Sequence, residues 1–264
     1  MTQDERLNFL IEAFKAEFKE YRKLCVPADR EGKRQFLRAL MNVRMPGSMS
    51  AEVLAVQDAY LRERAEEKGI IGFQDISGIR DGLSVWQGDI TRLAVDAIVN
   101  AANSAMLGCF VPGHNCIDNC IQTYAGIQMR AECDRQMKLL KREYGQSYVQ
   151  PTAIPLLTDG YNLPAKKVIH IVGPVVTGSL TQKHKTELGA CYTNTLDLCM
   201  REGLKSLAFC CISTGVFHFP NEEAAEIAVN TVRGWQETHA GAMECIIFNV
   251  FKDEDKKCYE DLMR

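Results

Sequence analysis

The sequence predicts an α/β layered domain with a largely parallel or mixed sheet, preceded by a helical N-terminal extension. Three observations carry this. Apolar residues recur at helical spacing through the first 75 or so positions. From about residue 80, short β-rich runs alternate with helical stretches, the signature of a layered α/β domain. No internal repeat and no low-complexity linker interrupts the chain, so the expected units are residues 1–75 for the extension and 76–264 for the main domain.

In the extension, Thr2 and Glu5 fit a capping box ahead of Leu7, Leu10, Ile11, Phe14, Phe18 and Tyr21. A second helical stripe, Phe36, Leu37, Leu40 and Met41, runs to the breaker "MPG" at 45–47. A third starts after Ser50 and stops at Gly69. Stripes of this kind must pack on something, and a cap on the main domain is the plain reading. The expected strands are "LSVWQG", "DAIVNA", "AIPLLT", "VIHIVGP", "SLAFCCIS" and "CIIFNVF", with helices over 117–144, 184–202 and 222–238. Asn221 is placed to cap the last of these, with Glu222 and Glu223 in its first turn.

Composition narrows the function classes. A chain of 264 residues, 46% hydrophobic and 25% charged, can bury a substantial core. A net charge of -3 gives no global case for a nucleic-acid or membrane partner. No apolar run approaches the roughly 20 residues of a membrane span. The start "MTQDERLNFLIEAF" lacks a basic segment ahead of a cleavage site, so the expectation is a cytoplasmic protein. Eleven cysteines are an odd number in a chain too long for a disulfide-stapled miniprotein. Cys210 and Cys211 lie in an apolar run where a thiol acts as a small hydrophobe.

The stretch "LGCFVPGHNCIDNC" is different, since Cys109, His114 and Cys116 can converge if Pro112 and Gly113 make a turn. Thiolate and imidazole are ligands that zinc prefers, and three protein ligands leave one tetrahedral position open, as catalytic sites do. Cys120 is a minor candidate for a fourth ligand, because a helix starting near Asp118 would carry it away. Elsewhere, Ser213, Thr214 and Gly215 follow an apolar strand, and such a loop can direct backbone N–H groups at a phosphate. Asp89 and Asn103 lie in loops where their polar groups can meet an amine or sugar hydroxyls.

Taken in order, "GDIT", "VDAIVNAAN", "YNLPAKKVIHIVGP" and "ISTGVFHFP" resemble the macrodomain family over about residues 80–264. The resemblance implies a three-layer α/β/α sandwich with a mixed central sheet and an ADP-ribose cleft on its crest. It implies that Asp89 meets the adenine amine, with the backbone of Ile90 beside it. Asn103 would hold the distal ribose, Ile117 and Asp118 would line the same part of the cleft, and Ser213, Thr214, Gly215, Val216 and Phe217 would wrap the diphosphate. Phe251 is either an adenine neighbour or a core residue. Where hydrolytic macrodomains carry a glycine-rich loop, this chain has "GCFVPGHNCIDN". That loop, together with "FLRALMNVRMP" in the extension, resembles the zinc-containing subclass linked to bacterial sirtuin-type ADP-ribosyltransferases. Gln122 stands where many relatives have His.

The resemblance implies a zinc-dependent hydrolase that removes mono-ADP-ribose from modified protein side chains, releasing ADP-ribose, with Asn103 and Asp118 as catalytic residues. The alternatives are a non-catalytic ADP-ribose reader and a hydrolase of O-acetyl-ADP-ribose. His170, inside a strand, is expected to be a satisfied core histidine, and His218 a loop residue.

Overall fold

The computed structural model describes all 264 residues. Its first part is helical: α1 (Gln3–Ala16), the single turn α2 (Lys19–Arg22), α3 (Arg30–Val43) and α4 (Ala51–Lys68). The capping box forms, with the Glu5 N–H donating to Thr2 Oγ1 at 3.3 Å and the Thr2 N–H to Glu5 Oε2 at 2.7 Å. The first stripe does not continue to Tyr21 in one helix; α1 stops at Ala16 and Phe18 becomes the extended residue ahead of α2. Leu7, Leu10, Ile11, Phe14, Leu37, Leu40, Met41 and Tyr60 form an apolar cluster of their own.

The rest is a three-layer α/β/α domain. Its strands are β1 (Ile71–Gly72), β2 (Leu83–Gln87), β3 (Leu93–Ala94), β4 (Ala97–Ala101), β5 (Leu156–Asp159), β6 (Lys167–Ile171), β7 (Ser206–Phe209) and β8 (Cys245–Val250). Six of them form one sheet in the order β2-β8-β7-β4-β6-β5, parallel except for β5 against β6. The two-residue β1 and β3 pair separately. The helices are α5 (Ile117–Ala125), α6 (Ile127–Tyr144), α7 (Gln182–Arg201), α8 (Asn221–Thr238) and α9 (Asp253–Leu262). None of the helices is long and apolar enough to cross a membrane.

Two positions depart from the sequence reading for identifiable reasons. The stretch 117–144 breaks at Gly126, which has φ of 102° and faces the Gln57 side chain of α4 at 2.8 Å from where a Cβ would stand. Asn221 does not cap α8; Pro220 occupies the cap, and the Asn221 amide donates instead to Asp255 Oδ1 of α9 at 2.5 Å.

Residue alternation along the strands assigns the two faces. Phe209 and Phe248 stand in register on β7 and β8 and pack toward Tyr192 of α7 and Tyr259 of α9. Asn100 and His170 stand in register on β4 and β6 and point the other way, toward α5 and α6. The extension docks on that second layer. Ile127 of α6 enters its apolar cluster, and its N–H donates to Gln57 Oε1 at 3.1 Å. Arg130 of α6, buried, donates through Nη1 to the carbonyls of Met41, Asn42 and Arg44 at 3.3, 2.9 and 2.6 Å. These are the unpaired carbonyls at the negative end of α3, where a cation is favoured.

His170 is fully buried, and burial pushes its pKa down to about 3. In the unfolded chain the imidazole titrates near 6.5. Below that pH the unfolded state therefore takes up a proton that the folded state refuses, until about pH 3. The contribution of His170 to stability should fall by about 1.4 kcal/mol per pH unit as pH drops through this window. Urea unfolding of the wild type and His170→Gln should show a shallower acid limb in the variant, which keeps an acceptor for Asn100; equal slopes would contradict the assignment.

Candidate functional site

The chain's polar chemistry gathers beyond the C-terminal ends of β4, β6 and β7, where ligands of open α/β sheets sit. Asp118 lies in the first turn of α5, only 6% exposed. Its Oδ1 accepts from Asn100 Nδ2 at 2.8 Å and its Oδ2 from Asn103 Nδ2 at 3.4 Å. Burial raises the Asp118 carboxyl to about 6, opposed by the Asn100 hydrogen bond, the Arg130 charge and Asn103.

Behind Asp118 runs a buried relay. The carboxylate orients the Asn100 amide so that Nδ2 also faces His170 Nδ1 at 3.0 Å. Nδ1 must then accept, which leaves the proton on Nε2, 3.0 Å from Thr158 Oγ1. His170 is thus a satisfied core histidine with a fixed tautomer. The sequence reading assigned no role to Asn100; the alternation that puts it opposite His170 on the α5 side was the available signal.

Asn103 stands at the crest, its Oδ1 accepting from the Ala105 N–H at 3.0 Å and its Nδ2 donating also to the Gly108 carbonyl at 3.0 Å. Past it, Cys109, His114 and Cys116 bring their ligand atoms within 4.8 Å of one another. Cys109 Sγ is 3.4 Å from His114 Nδ1, and Cys116 caps α5 by accepting from the Asn119 N–H at 3.4 Å. Cys120 stays outside this group, its sulfur 3.5 Å from Arg38 Nη2. Burial, then the neighbouring Cys109 and Asp118, push the Cys116 thiol up to about 12, against the Asn119 N–H. A bound divalent cation would favour the Cys116 thiolate that burial disfavours. The donor set and its spacing fit zinc. Gln122 is buried, and neither end of its amide has a partner in the chain.

The second arm of the site follows β7. Ser213 takes a left-handed backbone, φ 67°, and its buried Oγ has no partner. The turn closes through His218 N–H to Gly215 C=O and Phe219 N–H to Ser213 C=O, both 3.0 Å. The N–H groups of Gly215, Val216 and Phe217 donate to nothing in the chain. Successive free N–H groups of this kind form an anion-binding concavity. The N-terminus of α8 adds little, because Glu222 and Glu223 occupy its first turn. Val216 is 71% exposed at the rim.

At the far end of the crest, Asp89 caps the short helix 90–92, in which Ile90 is buried. Its Oδ1 accepts from the Thr91 N–H at 3.0 Å and hydroxyl at 2.6 Å, and Lys68 Nζ of α4 sits 2.9 Å from Oδ2. Burial would raise the Asp89 carboxyl, but Lys68 and Thr91 together hold it below its ordinary range. Lys68 also lies 3.4 Å above the Tyr124 ring. Phe251, just after β8, is 77% exposed, which rules out the core alternative. A groove of about 810 Å³ lies at the opposite end of the sheet, lined among others by Arg80, Leu83, Arg233 and Glu244; it holds none of the residues above.

Comparison with known proteins bears on the family and the fold. A family model described as Macro domain matches residues 99–228. The chain is 48% identical over 267 aligned residues to a protein-ADP-ribose hydrolase of Treponema medium, covering all of both chains. It is 42% identical to a protein-ADP-ribose hydrolase of Staphylococcus aureus strain MRSA252, over 97% of this chain and 94% of that one. Among solved structures it is similar to a Trypanosoma brucei macrodomain in complex with ADP-ribose, with TM-score 0.65 and 28% identity over 83% of this chain and 92% of the other.

One glycine tests the second arm. A Cβ on Gly173, after β6, would stand 2.0 Å from Ser213 Oγ and 2.7 Å from Ile212 Cγ2. Gly173→Ala should therefore displace the 213–217 turn and lower unfolding free energy by about 1–3 kcal/mol. Urea titration measures the loss; an unchanged midpoint would mean the two loops are not held in contact.

Proposed function

The chain belongs to the Macro domain family, and we propose that it hydrolyses mono-ADP-ribose from modified protein side chains with a zinc ion held by Cys109, His114 and Cys116. The observation that carries the reading is the convergence, in one crest, of a buried carboxylate held by Asn100 and Asn103 with a Cys-His-Cys donor set. Full-length similarity to proteins named as protein-ADP-ribose hydrolases supports the same activity.

ADP-ribose lies along the crest in this reading. Asp89 accepts from the adenine amine, beside the Ile90 backbone. The free N–H groups of the 213–217 turn, with Ser213 and Thr214, receive the diphosphate, and Phe217 packs on the distal ribose. Ile117 borders the same sugar. Asn103 orients the ribose so that C1'' faces an attacking water. Asp118 accepts the proton as the water oxygen bonds to C1'', while the bond from C1'' to the side-chain oxygen breaks and that oxygen leaves with the electron pair, taking up the proton that Asp118 received. A positioned base of this kind contributes about 10²-fold to 10⁴-fold. Zinc, when bound, supplies Lewis acidity beside the distal ribose. The protein partner is a mono-ADP-ribosylated substrate, and ADP-ribose is the product.

The deciding experiment measures zinc per chain and release of ADP-ribose from a mono-ADP-ribosylated protein, in the wild type and in Cys116→Ala. Expected is about one zinc per wild-type chain, lost together with release in the variant while ADP-ribose still binds. Zinc lost with release intact would remove the metal from the reaction and leave Asp118 at its centre. Binding without zinc and without release would make the chain a reader.

Two further variants separate the ends of the cleft. Asn103→Ala should lower kcat by about 10²-fold with a smaller change in ADP-ribose Kd. Asp89→Ala should weaken ADP-ribose about tenfold with kcat at saturation kept. The reverse pattern would show the ligand's orientation to be misassigned.

A further inference from the structure

The loop that carries Cys109, His114 and Cys116 has almost no structure of its own. Its one internal backbone hydrogen bond runs from the His114 N–H to the Val111 carbonyl, at 3.2 Å. Beyond the contacts of Cys109 Sγ with the Val111 N–H and the His114 ring, it is held by side chains reaching in from outside. Asn119 Nδ2, from α5, donates to the Cys109 and Val111 carbonyls at 3.2 and 3.1 Å. Three more hydrogen bonds come from α3 of the extension. Asn42 Oδ1 accepts from the Gly113 N–H at 2.8 Å. Arg38 donates through Nη2 to the His114 carbonyl at 2.6 Å and through Nη1 to Asn115 Oδ1 at 2.7 Å.

Arg38 and Asn42 are four residues apart and share one face of α3. They hold backbone groups of two consecutive residues of the loop, the N–H of Gly113 and the carbonyl of His114. Their own geometry is fixed in turn: Asn42 is fully buried and donates to Thr123 Oγ1, whose hydroxyl donates to the Asn119 carbonyl at 2.7 Å. Arg38 Nη2 also reaches Asn119 Oδ1 at 3.3 Å. The His114 ring is exposed and touches only Cys109 Sγ among polar groups, so packing does not aim it. Its direction is set by its backbone, and its backbone carbonyl is held by Arg38.

We propose that Arg38 and Asn42 are positioning residues for the Cys109–His114–Cys116 donor set, so that the N-terminal extension is a working part of the site and not only a cap. The proposal rests on the zinc reading above. Partners of this outer kind change metal affinity by roughly 10–100-fold when removed.

The test uses the full chain with Arg38→Met, which keeps the aliphatic stem, and Arg38→Lys, which restores a single donor. Zinc affinity is read by competition with a chromophoric chelator, the donor set by the absorption of the Co²⁺-substituted protein, and folding by the thermal midpoint of the metal-free chain. Expected is a zinc affinity about 10–100-fold lower in Arg38→Met with altered Co²⁺ bands, and part of the loss recovered in Arg38→Lys. The metal-free midpoint and ADP-ribose Kd should stay at wild-type values. Wild-type zinc affinity in Arg38→Met would overturn the proposal, and so would a metal-free midpoint that falls in step with affinity. A wild-type chain that takes up no zinc would sink the reading it rests on, and the proposal with it.

Discussion

The guanidinium of Arg130 is the point on which the assembly of this molecule turns. It leaves α6, enters the end of α3 and donates to three carbonyls that the helix leaves unpaired. The Phe110 ring of the metal-candidate loop lies over it, 4.5 Å from ring centre to Cζ. Burial works against the Arg130 charge, and the nearby Asp118 supports it. One buried cation therefore touches the extension, the loop and the surroundings of the carboxylate. Hydrogen bonds to charged groups contribute about 1.5–3 kcal/mol, and a buried charge left without partners costs more than the bonds are worth. The extension cannot detach without exposing that cost, which binds two apolar clusters into one molecule.

The crest inherits its order from this docking. Asp118 is placed by the first turn of α5, but its rotamer is set by amides on both sides, one from β4 and one from the loop after it. The carboxylate in turn orients the Asn100 amide, and that amide fixes the tautomer of the histidine behind it, whose Nε2 proton meets Thr158 on the antiparallel edge strand. Orientation is thus passed through the sheet from the site to its edge. At the opposite end of the cleft the extension intervenes again, since Lys68 pairs with Asp89 across the junction.

Much of this was legible in the sequence and some was not, for physical reasons. Strand and helix positions follow from apolar periodicity, which is local, so most long elements lie near their expected places, whereas α9 (Asp253–Leu262) has no counterpart in the sequence reading. The break at Gly126 was missed because a single glycine is tolerated inside a helical pattern; here Gln57, about 70 residues away, occupies its flank. The pair β1 and β3 is two residues long, too short for any alternation to register. Cys109, His114 and Cys116 were visible as a short-range cluster. Their holders, Arg38 and Asn42, were not, because nothing local to an exposed-looking arginine on an amphipathic helix announces a loop 70 residues downstream as its partner. Asn100 lies inside the expected strand "DAIVNA", and the register with His170 shows that it faces inward.

The strand order has a consequence for how the protein is made. β8, the strand of the sheet that comes latest in chain order, is not at an edge; it lies between β2 and β7. Until residues 245–250 have left the ribosome, β2 has no neighbour in the main sheet, and Phe209 lacks the strand that stands beside it. The growing chain can assemble its helical extension and the half-sheet of β4, β5, β6 and β7 while the rest is still being translated. Joining the two halves of the sheet is then a single late event, and a chain without residues 245–250 would carry two open strand edges where β8 belongs.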